Sequence, residues 1–236
     1  MSFGFISNEL YLAAKKADPD YCETLREKTV ESGEIVLDRF VDENSLLREV
    51  VDSNFKFIPK VLGMHINPGH TVEDAWFLLD AAKTQERPEW NNKIYKMVAK
   101  TFEVGWDYEN GGMLHFADLK GGKPTGDNGG YEEEVVSKQL SGWRDKLWWV
   151  HSESLYASLR CYFETGDEEF KDWYDKVFEY SFSTYPNTDP EVREWIQIRD
   201  GDGKPVEKVV ALPVKDPYHI MRNLSLILEL IYRHSN

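Results

Sequence analysis

Helical periodicity restricts the fold of this chain more than any other feature of its sequence. Apolar residues recur at the three- and four-residue spacing of an amphipathic helix along most of the 236 residues. The pattern predicts seven helices, near residues 8–17, 19–33, 68–84, 90–105, 145–165, 167–184 and 217–234. Because this periodicity dominates the chain, we expect an all-α fold.

Glycine-rich turns separate these helices at fairly even distances. Two of them, "YENGGMLHFADLKGGKP" (108–124) and "WIQIRDGDGKPVEKVVAL" (195–212), alternate around their glycines and predict short β-hairpins. The resulting order of helix, helix and hairpin loop indicates a ring of helical hairpins whose loops gather on one face. No linker rich in Pro, Ser or Gly is long enough to divide the chain, so residues 1–236 are expected to form a single domain.

Charge and cysteine content restrict the partners and the compartment. The formal net charge is −14 and is spread along the chain, which argues against nucleic acid and anionic membranes as partners. The two cysteines, Cys22 and Cys161, lack the paired spacing of a metal site or a disulfide framework, which favours a reducing cytoplasm. No signal-peptide pattern and no apolar run of about 20 residues occurs, so we expect no membrane association.

Two distant stretches share one local pattern. "NPGHTVEDAW" (67–76) and "DPYHIMRNLS" (216–225) each contain Asn or Asp, then Pro, any residue and His. Asn67 and Asp216 suit helix N-caps, and proline is well tolerated at the first helical position. Each histidine is therefore predicted to lie in the first turn of a helix.

The histidines of these motifs, His70 and His219, are candidate proton-transfer groups. The positive end of the helix dipole disfavours imidazolium, which predicts neutral rings able to accept a proton. Three places further on, Glu73 is predicted to couple to His70, whereas Arg222 lies beside His219. Such opposite surroundings suit an acid and a base that act on one substrate. The alternative is that both motifs simply start helices and that each imidazole satisfies a nearby carbonyl.

A third stretch, "KLWWVHSESLYASL" (146–159), places Trp149 and Glu153 four residues apart on one helix face. An aromatic ring beside a carboxylate can contact a sugar. A role in the core is the alternative for Trp148 and Trp149, although adjacent residues cannot both point into the same core. The remaining histidines are expected to be structural, namely His65, His115, His151 and His234.

These motifs together resemble the N-acylglucosamine 2-epimerase superfamily. "NPGHTVEDAWFLL", "KLWWVHSESLYASLRCYFETGD" and "PVKDPYHIMRNL" occur in the order typical of that family, and the similarity extends through nearly the whole chain. The resemblance implies an (α/α)6 barrel with its active site in the funnel at one end. It also implies an incomplete barrel here, with about seven of the twelve helices.

The resemblance implies roles for individual residues and a reaction. The implied catalytic residues are His70, His219 and Glu153, with the two histidines on opposite faces of an opened sugar. The implied substrate-binding residues are Glu73, Trp148, Trp149 and Arg222. The implied reaction is epimerisation at C2 through an enediol or enolate, by proton abstraction and return between the two histidines, with no metal and no cofactor.

Two departures from the family bear on function. The resemblance implies that this chain begins near the family's sixth helix, without roughly five N-terminal helices and the arginine and histidine they normally contribute. Met64 also stands where the family leads us to expect an arginine. We therefore expect a homodimer or association with the missing N-terminal half, and an apolar face near residues 8–33. A non-catalytic carbohydrate- or protein-binding remnant is the alternative function. A glycoside hydrolase ranks last, because histidines rather than a carboxylate pair occupy the motifs.

Overall fold

Helices form most of the computed structural model, which describes residues 2–128, 130, 133–207 and 218–235. The described α-helices are α1 Ser2–Ala14, α2 Pro19–Ile35, α3 Pro68–Thr84, α4 Asn91–Gly105, α5 Glu133–Ser141, α6 Trp148–Thr165, α7 Glu168–Thr184 and α8 Tyr218–His234. A π-helical turn, Val36–Phe40, continues α2, and a 3₁₀ turn, Pro88–Trp90, precedes α4. The predicted all-α class is confirmed.

The helix positions differ from the prediction in three places. Helix α1 begins at Ser2, well before the predicted start, and α6 begins at Trp148 because the two residues before it form a strand. Helix α5 was not predicted, because its apolar pattern is short and stands between polar and glycine-rich segments. Its Val136 is buried against Val61 and Leu62, so contacts with a distant loop support this helix.

Short strands lie in the loops, but they pair differently from the predicted hairpins. Strand β1 (His65–Ile66) pairs antiparallel with β2 (Ala117–Asp118), and β3 (Lys146–Leu147) pairs with β4 (Ile198–Arg199). Each strand thus joins loops that are far apart in sequence. Tight turns do form where hairpins were expected, through the bridges Trp106–Met113 and Arg199–Pro205. Residues 208–212 of the second predicted hairpin lie outside the described residues.

Neighbouring helices pack as hairpins, and two of them form the centre of the fold. Helices α1 and α2, α3 and α4, and α6 and α7 pack against each other, while α3 and α8 both pack on α6. Most residues of α3 and α6 are buried, whereas α4 and α7 bury one face. The N-terminal halves of α3 and α6 approach so closely that a Cβ atom on Gly69 would lie 2.6 Å from the Trp149 ring.

Apolar side chains are exposed at both ends of the chain. Ile6, Leu10 and Leu12 of α1 are about half exposed, as is Tyr21 of α2, in agreement with the apolar surface expected near residues 8–33. Helix α8 has a second set that was not predicted, comprising Tyr218, Met221, Leu228, Ile231 and Tyr232. Within the described ranges, no helix combines the length and the apolar character that crossing a membrane requires.

Candidate active site

The start of α3 follows the predicted capping pattern. The Asn67 side chain accepts a hydrogen bond of 3.2 Å from the backbone N–H of His70, and Pro68 is the first helical residue. This cap satisfies a backbone donor that would otherwise lack a helical partner. It also fixes His70 as the third residue of α3, so the imidazole lies in the first turn of the helix, as predicted.

The start of α8 agrees with the prediction as far as it is described. The predicted cap Asp216 and the following Pro217 lie outside the described residues. The described helix begins at Tyr218, which places His219 in the first turn. Both candidate histidines therefore lie at the N-terminal ends of helices.

Trp149 brings these two ends together. It is the second residue of α6, and its ring centroid lies 5.6 Å from that of His70 and 5.3 Å from that of His219. The indole is partly exposed, and the His70 side chain is 38% exposed. The first turns of α3, α6 and α8 thus meet, with both imidazoles next to one aromatic ring.

Glu153 lies at the centre of the His219 side of the cluster. It is fully buried, and its Oε1 lies 2.7 Å from Nδ1 of His219. The Arg222 guanidinium donates to the same oxygen, and the Trp76 indole N–H donates to Oε2 over 2.8 Å. A buried carboxylate needs such donors to remain charged. Glu153 therefore lines the predicted cluster and holds the His219 ring.

Glu73 has a different partner from the predicted one. Its Oε1 accepts a hydrogen bond of 3.1 Å from Arg222 and lies 3.6 Å from Nδ1 of His219. Burial raises the pKa of Glu73, and the nearby charge of Glu153 raises it further. The Glu73 carboxylate therefore hydrogen-bonds Arg222 of α8 rather than the His70 ring, while its charge raises the pKa of His70, as the predicted charge coupling requires.

His70 is held by Glu49, which the sequence analysis did not identify. Nδ1 of His70 lies 2.9 Å from Oε1 of Glu49. Burial lowers the pKa of His70, but the hydrogen bond and charge of Glu49 outweigh it, so the pKa is raised. The predicted depression by the helix dipole is therefore wrong for this ring. Glu49 lies in an irregular segment, where no motif or spacing marks it.

Trp148 is not part of the cluster. It is 9% exposed and belongs to the main hydrophobic core, and its backbone N–H donates to the carbonyl of Gln197 over 3.0 Å. The two adjacent tryptophans point in different directions, as their positions on a helix require. The predicted substrate contact of Trp148 does not agree with this core position.

His151 has the structural role that was predicted for it. Its ring is fully buried, Nδ1 lies 2.8 Å from the carbonyl oxygen of Leu147, and Nε2 accepts a hydrogen bond of 2.9 Å from the N–H of Met113. Burial lowers its pKa to about 3. The ring therefore joins α6 to the loop that follows α4 and stays neutral.

Three groups of the cluster are close enough to share a cation. Ligand atoms of Glu73, Glu153 and His219 all lie within 4.8 Å of one another. Sequence spacing gave no indication of this set, because the three residues come from three helices. The Arg222 guanidinium contacts both carboxylates, so it already supplies positive charge at this point. A metal ion would have to displace it.

The arrangement is suited to proton transfer. Each candidate histidine presents Nδ1 to a carboxylate, Glu49 for His70 and Glu153 for His219. A carboxylate on one ring nitrogen fixes the orientation of the imidazole. Two such pairs next to the same Trp149 ring are suited to accepting and donating protons.

Comparison with known proteins gives the family of the chain. The sequence profile of the N-acylglucosamine 2-epimerase (GlcNAc 2-epimerase) family matches residues 6–223. The N-acylglucosamine 2-epimerase of Mus musculus is 34% identical over 197 residues, which are 83% of this chain and 43% of that protein. The protein of the same name from Bos taurus is 36% identical over 171 residues, 72% of this chain and 37% of that protein. The chain spans less than half the length of these relatives.

Solved structures agree on the fold. A cellobiose 2-epimerase from Bacillus thermoamylovorans is 19% identical and superposes with a TM-score of 0.71, covering 96% of this chain and 52% of that one. A D-mannose isomerase is 18% identical, with a TM-score of 0.72 and coverage of 96% and 55%. The predicted (α/α)6 barrel class is thereby confirmed, with about half of such a barrel present in this chain. On sequence and fold, the chain belongs to the N-acylglucosamine 2-epimerase family.

Proposed function

We propose that this chain supplies the two proton-transfer bases of a sugar 2-epimerase. The observation that carries the proposal is the position of His70 and His219 next to the same Trp149 ring, each with Nδ1 against a carboxylate. A binding module needs the aromatic ring but has no need of two imidazoles held in this way. The proposed substrate is an N-acylglucosamine, converted to the N-acylmannosamine, or a related hexose.

The proposed chemistry begins with the open-chain sugar. The proton on C2 is acidic because it is next to the C1 carbonyl, and one imidazole removes it from one face of the carbon. The electron pair of the broken C–H bond then forms the C1–C2 double bond of an enolate, or of an enediolate for a hexose with a 2-hydroxyl, with the negative charge on the former carbonyl oxygen. The other imidazole, already protonated, returns a proton to the opposite face of C2. The carbonyl reforms, and the configuration at C2 is inverted.

Aromatic and polar neighbours support this scheme. The exposed part of Trp149 offers a flat surface for the sugar between the two bases. Arg222, Glu73 and Glu153 form a charged network that holds His219 in place. The setting we propose is a reducing cytoplasm, which agrees with the two buried free thiols Cys22 and Cys161.

Assembly is part of the proposal, because the relatives are about twice as long as this chain. The apolar side chains exposed on α1 and α8 are suited to packing against further helices. We propose that a second copy, or a separate N-terminal half, completes the wall of the barrel. A non-catalytic binding remnant is the second candidate, and the partly exposed Trp149 ring, which can contact a sugar without any reaction, is the observation that favours it.

Solvent deuterium tests the chemistry directly. The chain is incubated in deuterated water with N-acetylglucosamine or N-acetylmannosamine, alone and after co-expression with the N-terminal half of a full-length relative. We expect deuterium at C2 as the epimer forms, chiefly in the completed assembly. Because general base catalysis contributes about 10²- to 10⁴-fold, His70→Asn and His219→Asn should each lower turnover by that factor.

A third histidine provides the control. His234 lies at the C-terminal end of α8, stacked on Phe163 and away from the cluster, so His234→Asn should leave exchange unchanged. Sugar binding without exchange in the completed assembly would favour the binding module. Epimerisation without deuterium at C2 would contradict proton transfer through solvent-exchangeable bases.

A further inference from the structure

The orientation of the His70 ring depends on a residue outside the repeated motifs. On α3, Asn67 fixes only the backbone of His70, and the neighbouring Glu73 is directed to Arg222. The Trp149 ring packs beside the imidazole with 31° between the planes, which limits its tilt. This packing does not decide which nitrogen of the His70 ring is available to a substrate.

We propose that Glu49 is the positioning residue of His70, holding Nδ1 so that Nε2 is directed to the substrate. The Nδ1–Oε1 distance of 2.9 Å is that of a good hydrogen bond, and the Glu49 side chain is 19% exposed. Among the described residues, Nε2 of this ring has no hydrogen-bond partner. The assignment rests on the proposed function for its catalytic meaning, but the contact itself can be tested without any reaction.

The segment before Glu49 is well anchored, as a positioning residue requires. The backbone N–H of Arg48 donates to the carbonyl of Phe40 over 3.0 Å. The Arg48 guanidinium forms a 2.5 Å ion pair with Asp42 and donates to the carbonyl of Gly63 over 3.3 Å. Arg48, the residue directly before Glu49, is therefore held by contacts with residues on both sides of it in the sequence.

The two carboxylate–histidine pairs differ in charge. The Glu153 carboxylate is shared between His219 and Arg222, so its negative charge is largely compensated. The Glu49 carboxylate has no resolved cationic partner other than the His70 ring in the described part of the chain. Glu49 therefore directs its negative charge at His70 and favours the imidazolium form of that ring.

The other charged groups near His70 act in the same direction, with one exception. Glu73 and Asp74 on α3 add negative charge, and His65 on β1 opposes protonation when it is itself charged. Although burial lowers the pKa of His70, these carboxylates raise it, with the largest share from Glu49. The hydrogen bond and charge of Glu49 thus suit His70 to carry a proton and to return it to C2.

Nuclear magnetic resonance of the ¹⁵N-histidine-labelled chain tests the contact, with the His70→Asn variant assigning the ring signals. Glu49→Gln removes the charge but keeps an oxygen that can accept from Nδ1–H, whereas Glu49→Ala removes both. We expect the pKa of His70 to fall by about one to two pH units in Glu49→Gln. The preference for the Nδ1–H tautomer should be lost only in Glu49→Ala. The matched control is Glu43→Gln, an exposed residue in the same segment, which should change neither.

Deuterium exchange in the completed assembly gives the second readout. Glu49→Gln should lower kcat at least about tenfold, less than removal of His70 itself, with a smaller change in KM. The alkaline limb of the kcat–pH profile should move to lower pH, because the proton-donating form of His70 is lost earlier. Glu49→Asp should recover part of the rate if the shorter side chain still reaches Nδ1.

The outcomes separate this inference from the proposed function. An unchanged pKa and tautomer of His70 in Glu49→Ala would overturn the positioning role, whatever the activity. The expected changes in the ring without any deuterium at C2 in the unmodified assembly would support the role of Glu49 and contradict the epimerase.

Discussion

Replacing Glu153 by Gln should destabilise the fold far more than its conservative chemistry suggests. The carboxylate is fully buried and contacts three partners, namely Arg222, His219 and the indole N–H of Trp76. The amide keeps one oxygen, which can still accept from the indole. The amide lacks the negative charge that Arg222 and His219 contact. If its oxygen faces the indole, its NH₂ group faces the N–H donors of Arg222 instead of accepting from them.

The expected cost can be worked from these contacts. Removing one member of a buried ion pair costs about 3–5 kcal/mol, because the remaining charge loses its partner in a dry environment. Arg222 is 14% exposed and keeps its 3.1 Å contact with Glu73, which reduces the penalty. We expect the free energy of unfolding to fall by about 2–3 kcal/mol, with a melting temperature about 5–10 °C lower.

Glu73→Gln is the matched control, because it makes the same change on the other carboxylate of Arg222. Glu73 is 17% exposed and makes one hydrogen bond, and its removal relieves repulsion with Glu153. We expect a loss below about 1 kcal/mol. Urea unfolding followed by tryptophan fluorescence measures both variants. Equal losses, or a Glu153→Gln variant as stable as the parent, would refute this account of the cluster.

Two further predictions concern residues that hold the fold around the site. Burial keeps His151 neutral with a pKa of about 3, whereas in the unfolded chain its pKa is near 6.5. The unfolded state therefore binds more protons below pH 6.5, and stability should fall by about 1.4 kcal/mol per pH unit between pH 6 and 5. Urea midpoints across this range, less steep in His151→Gln, check this. Gly166 ends α6 with φ +71° and open space around it, so Gly166→Ala should cost about 1 kcal/mol through backbone strain alone. A neutral result in thermal melts would contradict that.

The sequence was sufficient to predict those features that depend on contacts between residues close together in the chain. The cap by Asn67 and the first-turn position of His70 follow from hydrogen bonds within four residues of each other. The helical spacing of Trp149 and Glu153 likewise placed both on one face of α6, as the structure has them. These short-range features gave the fold class and the main residues of the cluster.

Charge partners could not be predicted in the same way. The spacing between His70 and Glu73 indicates neighbouring positions on α3, but not which of the two faces α8 and which faces the loop. The structure pairs Glu73 with Arg222 and pairs His70 with Glu49, across large sequence distances. The direction of Trp148 and the formation of α5 depend in the same manner on packing between distant segments.

The charges of the cluster place a condition on the proposed mechanism. Three carboxylates, on Glu49, Glu73 and Glu153, face one guanidinium and the two imidazoles. Burial makes uncompensated negative charge costly, which is why the pKa of Glu73 is raised. Protonation of one imidazole reduces the imbalance, and the Glu49 side is where no arginine competes for the carboxylate among the described residues. A protonated His70 is the proton donor that the proposed epimerisation needs, so the excess of carboxylates suits the proposed reaction as well as the fold.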